Sequence, residues 1–139
     1  MILFKQNGMA AIEFIASMPI LFLLMIATLD FGQAFIDYTV LDKAVRAGAR
    51  HAVRDGISSS DIKNIVVYGT TDGAGDDNAN KPKLKNLVVG NVTVDKTTIN
   101  GYVTVSVTYV YVPFFPKVPV ADISLRVPLT ASAVMRTMP

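Results

Sequence analysis

A carboxylate stands where carboxylates are expensive. From Met9 to Leu29 the chain reads MAAIEFIASMPILFLLMIATL, with Glu13 as its single charge and Pro19 as its single proline. The run matches the about 20 apolar residues that cross a bilayer. Between Phe14 and Leu29 nine residues are Leu, Ile or Phe, each favouring insertion by roughly 0.3 to 0.6 kcal/mol, which outweighs the roughly 2.5 to 3.5 kcal/mol cost of one acid. An ionisable group left in such a segment needs a partner. The spacing offers an amine. A cut after Gly8 would make Met9 the new N-terminus and Glu13 the fifth residue of the shortened chain, so that the amine of one helix could pair with the carboxylate of a neighbour. Such a pair would neutralise both charges and set the stagger of adjacent helices. The other reading is that Glu13 sits at headgroup level and faces water.

The remaining candidates for chemistry are weaker. His51 is the only histidine, and with Asp55 and Ser58 to Ser60 it makes a Ser/His/Asp set by composition. Neighbours along one stalk form no pocket and no oxyanion hole, so no triad is expected. Asp72, Asp76 and Asp77, with Asn78 and Asn80, could offer oxygen ligands to Ca²⁺, but their spacing misses that of an EF-hand loop, and a solvated turn is expected instead. Gly69, Gly73 and Gly75 lack the Gly-Lys-Ser/Thr ending of a phosphate loop. With no cysteine, disulfides, thiol nucleophiles and the usual zinc sites are excluded. We expect no enzyme, no metal and no cofactor.

The elements that would position Glu13 come next. Leu29 to Arg54 holds no proline and keeps helical spacing through Phe31, Phe35, Tyr38, Leu41, Val45 and Ala49. The membrane helix is therefore expected to run on outward as a stalk. Unbroken from Met9 to Arg54 it would be roughly 70 Å long, with Pro19 allowing a kink and Gly32 weakening the exit from lipid. Ala44, Ala47, Gly48, Ala49 and Ala52 present a small-residue face that suits close backbone approach, either by the chain's own sheet or by a neighbouring subunit. Lys43, Arg46, Arg50 and Arg54 form a basic row, with Asp42 placed to pair with Arg46. That row reads either as a solvated face favourable to the helix C-terminus or as a contact for acidic groups of another subunit. Basic residues without interleaved exposed aromatics do not argue for nucleic acid, and neither does a net charge of +2.

Four segments together resemble a known family. They are Gly8-Met9-Ala10-Ala11-Ile12-Glu13-Phe14, Ser17-Met18-Pro19-Ile20-Leu21, Leu29-Asp30-Phe31-Gly32-Gln33-Ala34-Phe35 and Lys43-Ala44-Val45-Arg46-Ala47-Gly48-Ala49-Arg50. Gly8 with an acid at this distance is similar to the processing site of type IV pilin-like proteins, and the combination resembles the TadE-like family of minor pilins or pseudopilins of the tight-adherence (Flp) pilus. The resemblance covers about residues 8 to 54. It implies that prepilin peptidase cuts after Gly8, that Met9 is the new N-terminus, and that Glu13, followed by Phe14, is the assembly carboxylate. Implied partners are the membrane, crossed once, other pilin and pilus-assembly subunits, and the peptidase. The implied location is the bacterial inner membrane, with the C-terminal domain outside the cytoplasm or incorporated in a surface pilus.

Other readings stay open. A single-pass anchored binding module would keep its leader and never enter a fibre. A cleaved secretory signal would place a cut near Gly32 and Ala34, and a buried helix of a soluble protein would need an unusually long uncharged run. Charge bears on orientation too: Lys5 is the only cation of the leader, while Lys43, Arg46 and Arg50 follow the span, which by the positive-inside rule would hold the C-terminal part inside. A processing site must face its peptidase, so we expect the leader inside.

Past the stalk an α+β arrangement is expected, with a long N-terminal membrane helix laid on a small antiparallel sheet. The divisions are a leader at 1–8, a transmembrane and stalk helix at 9–54, and an extracytoplasmic domain at 55–139. Asp55-Gly56 stops the helix. Ser59 or Ser60 caps a short helix from Asp61 to Val67, although Ile65 to Tyr68 also reads as a strand. A polar glycine-rich loop from Gly69 leads to Pro82. Strands follow at Val92 to Asp95 and at Tyr102 to Val112, where Val103, Val105, Val107, Tyr109 and Tyr111 share one face. Pro113 to Pro119 breaks the sheet. A last strand from about Ile123 alternates Leu125, Val127, Leu129, Ala131, Ala133 and Met135 with polar residues and is edged at Pro128.

Overall fold

The computed structural model describes residues 7–54, 56–73, 81–96, 101–114, 124 and 126–137. The elements in order are helix α1 (Asn7–Ala52), helix α2 (Ser59–Val67), a 3₁₀ turn (Val89–Asn91) and strands β1 (Val92–Asp95), β2 (Tyr102–Tyr111) and β3 (Val127–Arg136). This is the α+β arrangement expected, a long apolar N-terminal helix with a three-stranded antiparallel sheet of order β1-β2-β3. The chain divides into two compact units, Met1–Gln33 and Ala34–Pro139.

In the first unit α1 is apolar on every side. It continues through Pro19, which carries no N–H for the Ile15 carbonyl. Its hydroxyls are satisfied within the helix: Ser17 Oγ donates to the Phe14 carbonyl at 2.9 Å and Thr28 Oγ1 to the Leu24 carbonyl at 2.8 Å. That is how a polar side chain is tolerated in an apolar medium. The helix starts at Asn7, two residues before the expected start.

In the second unit the same helix becomes one-sided. Leu41, Ala44, Val45, Ala49 and Ala52 are buried, and with Ile62, Val66 and Val67 of α2 and Val103, Val105 and Val107 of β2 they form one core. Gly48 is part of it. A Cβ there would come within 2.5 Å of Val66 Cγ2 and 3.7 Å of Val105 Cγ1, so a larger residue would push α2 off α1. The small-residue face is thus used within the chain, where Gly48 lets Val66 and Val105 approach.

α2 begins two residues earlier than expected, at Ser59 rather than Asp61. Ser58, not Ser59 or Ser60, is the cap: its Oγ accepts from the Asp61 N–H at 3.2 Å, while the Asp61 carboxylate accepts from the Ser58 N–H at 3.2 Å. This reciprocal box satisfies two helix-end donors. Ile65 to Val67 belong to that helix rather than to a strand, because Ile62, Ile65 and Val66 bury one helical face.

Strand β2 keeps strict alternation, whereas in β3 Val127, expected on the inward face, is exposed beside Pro128. Val103, Val105, Val107, Tyr109 and Tyr111 all point into the core, as their spacing predicts. Val105 meets Gly48, while Tyr109 bonds to Asp37, so β2 runs opposite to α1, and β1 and β3 run with it. Thr137 N donates to Gly101 O at 2.7 Å, which continues the β2–β3 register with a hydrogen-bonded pair. Bonded and non-bonded pairs alternate, so Pro128, an odd number of residues away, would have aimed an N–H off the sheet's edge. The edge therefore tolerates this proline. The expected start of β3 at Ile123 and Leu125 lies outside the described residues.

Candidate assembly site

The candidate site is built on the exposed length of α1. The helix is long and apolar enough to cross a membrane, and none of its most apolar stretch is buried. A core helix of a soluble protein would be covered. Gly8 lies within the first turn of α1. Met9, Glu13 and Phe14 are all exposed, and Glu13 has no hydrogen-bond or ion-pair partner among the described residues. Its carboxylate is thus presented on a stretch, Met9 to Leu29, that carries no other charge. Leader residues 1–6 lie outside the described residues.

The basic row falls on the outer surface of α1 in the second unit. Lys43, Arg46, Arg50 and Arg54 are exposed, while Leu41, Ala44, Val45 and Gly48 between them face the core. Arg46 Nε meets Asp42 Oδ2 at 3.0 Å, the pair expected from their spacing. Such exposed pairs contribute about 0.3 to 0.5 kcal/mol.

The residues weighed for other chemistry are placed elsewhere. Ser58 caps α2, and its Oγ lies 2.7 Å from Ser60 Oγ, which accounts for both hydroxyls. His51 is half-buried on α1, and Asp55 lies outside the described residues. Thr71 Oγ1 donates to Asp72 Oδ1 at 3.1 Å, whereas Asp76, Asp77, Asn78 and Asn80 lie outside the described residues. Among the described residues no cluster of three or more acids and histidines is close enough to hold a metal.

One polar pair escaped the sequence reading. Asp37 is 8% exposed, the one buried charged residue among those described. Tyr109 reaches it from β2. The Tyr109 hydroxyl donates to the Lys85 carbonyl at 3.1 Å, and its pKa is pushed above the ordinary tyrosine value first by burial, then by the Asp37 charge and hydrogen bond. Asp37 stands four, seven and eight residues before Leu41, Ala44 and Val45, so helical spacing alone placed it on the buried face. Its partner, seventy-two residues away in sequence, carried no such signal.

Residues 8–50 match the family model of TadE-like protein. The match takes in the Gly8 to Phe14 segment, the whole apolar run and the basic row as far as Arg50. No curated protein and no solved structure matches the chain.

Proposed function

We propose that this chain is a minor pilin or pseudopilin of a tight-adherence pilus. It is inserted as a precursor, cut between Gly8 and Met9 by prepilin peptidase, held by α1 in the bacterial inner membrane with residues 55–139 outside the cytoplasm, and then assembled with other pilus subunits to serve adhesion or secretion. The observation that carries this reading is Glu13, an exposed acid with no partner among the described residues, on an apolar helix inside the TadE-like match. Helix burial among like helices supplies the association energy. The amine of a neighbouring Met9 pairs with Glu13 and sets the register. Arg46, Lys43, Arg50 and Arg54 then meet acidic groups of an adjoining subunit. The mature N-terminus tests the reading directly. Mass spectrometry of the protein from cells with the peptidase should find Met9 first, and from cells without it Met1; an intact Met1 in assembled pili would overturn the reading.

A second reading has one observation in its favour. The Gly8–Met9 bond lies in a helical turn, whereas proteases cut extended backbone, which favours a retained leader and a single-pass anchored binding module outside any fibre. The same measurement separates the two.

A further inference from the structure

The second unit has two unlike ends. Because β2 runs opposite to α1, the C-terminal end of β2 and the start of β3 lie with Ala34 and Asp37, while Tyr102 and Arg136 lie with Arg54. The large apolar side chains that this unit leaves exposed are not shared evenly. Phe114 is 81% exposed, and Val110, Val112, Val127 and Val88 are exposed at the same end. Phe35, Ile36 and Tyr38 join them from α1. Among the described residues, Tyr102 and Val134 alone stand at the other end, beside Arg54, Lys96 and Arg136. An apolar patch confined to one end of a domain calls for a covering surface.

Connectivity names that surface. Four residues, Asp30 to Gln33, separate Leu29 at the close of the apolar run from Ala34. Even fully stretched, five links of chain reach under about 18 Å, so the Ala34 end stays beside the bilayer wherever the rest of the unit points. The charges at this end suit the same surface. Lys85 and Arg126 are exposed there, while the Asp37 carboxylate is turned inward to Tyr109. Cations around an aromatic and aliphatic patch match the headgroup layer of an anionic membrane.

We infer that the Ala34 end of the second unit is a membrane-seating surface, with Phe114 and Val112 entering the headgroup layer and Lys85 and Arg126 meeting lipid phosphates. The proposal rests on α1 crossing the bilayer, and it concerns the domain rather than the helix.

The chain has no tryptophan, so single substitutions make clean reporters. The full-length protein is placed in phosphatidylglycerol vesicles with or without bromine on the upper acyl carbons, and tryptophan fluorescence is read for Leu21→Trp, Phe114→Trp and Tyr102→Trp. Leu21→Trp reports insertion. We expect brominated lipid to quench Leu21→Trp and Phe114→Trp for most of their emission and to leave Tyr102→Trp bright. If Leu21→Trp is quenched while Phe114→Trp stays as bright as Tyr102→Trp, the seating surface is wrong though the membrane helix stands. Loss of quenching at Leu21→Trp removes the helix reading and the seating with it. A Phe114→Trp emission that shifts only at high protein density, without lipid quenching, assigns the patch to another protein and overturns the proposal.

Discussion

Leu23 and Leu41 are the same residue on the same helix, yet Leu23 is 70% exposed and Leu41 is fully buried. Around Leu23 every face of α1 is apolar, and within its own unit no described residue covers it. Around Leu41 the apolar residues fall every three or four positions, and α2 and the sheet close over them. A helix that is apolar all round must find its burial in lipid or in other chains, whereas a striped helix finds it at home. The first unit is therefore built for association, and the second for stability.

The sharpest way to break this contrast is at Glu13. Glu13→Ala should leave membrane insertion and the thermal midpoint of the domain unchanged and should abolish incorporation into pili, as read by membrane fractionation and by immunoblot of sheared fibres. Unchanged incorporation would remove the register role. Next in size are core changes in the second unit. Leu41→Ala should cost about 3 kcal/mol of domain stability, and Gly48→Val about 2 kcal/mol through collision with Val66. Leu23→Ala, in the first unit, should leave the midpoint where it was. Denaturant melts of the detergent-solubilised chain measure all three.

Smaller effects sharpen the picture. Tyr109→Phe deprives the Lys85 carbonyl and Asp37 of a donor and should cost about 1 to 2 kcal/mol at neutral pH. Because folding raises the Tyr109 pKa, its share of stability is complete below pH 10 and declines as pH climbs from there through the folded value. The alkaline loss should therefore be shallower in Tyr109→Phe, and a matching slope would contradict the buried pair. Asp42→Ala should change the melt least, by under about 0.5 kcal/mol, although it frees Arg46 for any acidic partner.

Much of this was legible before any fold was known. Val92 to Asp95 and the inward face of β2 were read from alternation alone, because side chains on a strand change sides at every residue. The Asp42–Arg46 pair and the stop before Gly56, which takes φ +81, follow from local geometry. The cap of α2 was displaced by a residue, since three consecutive serines offer equivalent side chains and only the Asp61 pairing selects Ser58. The small-residue face with Gly48 read first as a contact for its own sheet and second as one for a neighbour. The Asp37–Tyr109 pair and the apolar end around Phe114 were not legible.

The division follows the range of the forces involved. By itself the amino-acid order determined the long helix and the alternation of β2, that α1 is apolar all round near Glu13, and that its outer row is basic, because each depends on neighbours within a turn or a pleat. Only the tertiary structure decided that β2 runs against α1, that Val66 closes over Gly48, and that Phe114, Val127 and Phe35 gather at one end. Those outcomes depend on how elements far apart in the chain stack on one another, and close packing admits one such arrangement where local periodicity admits several.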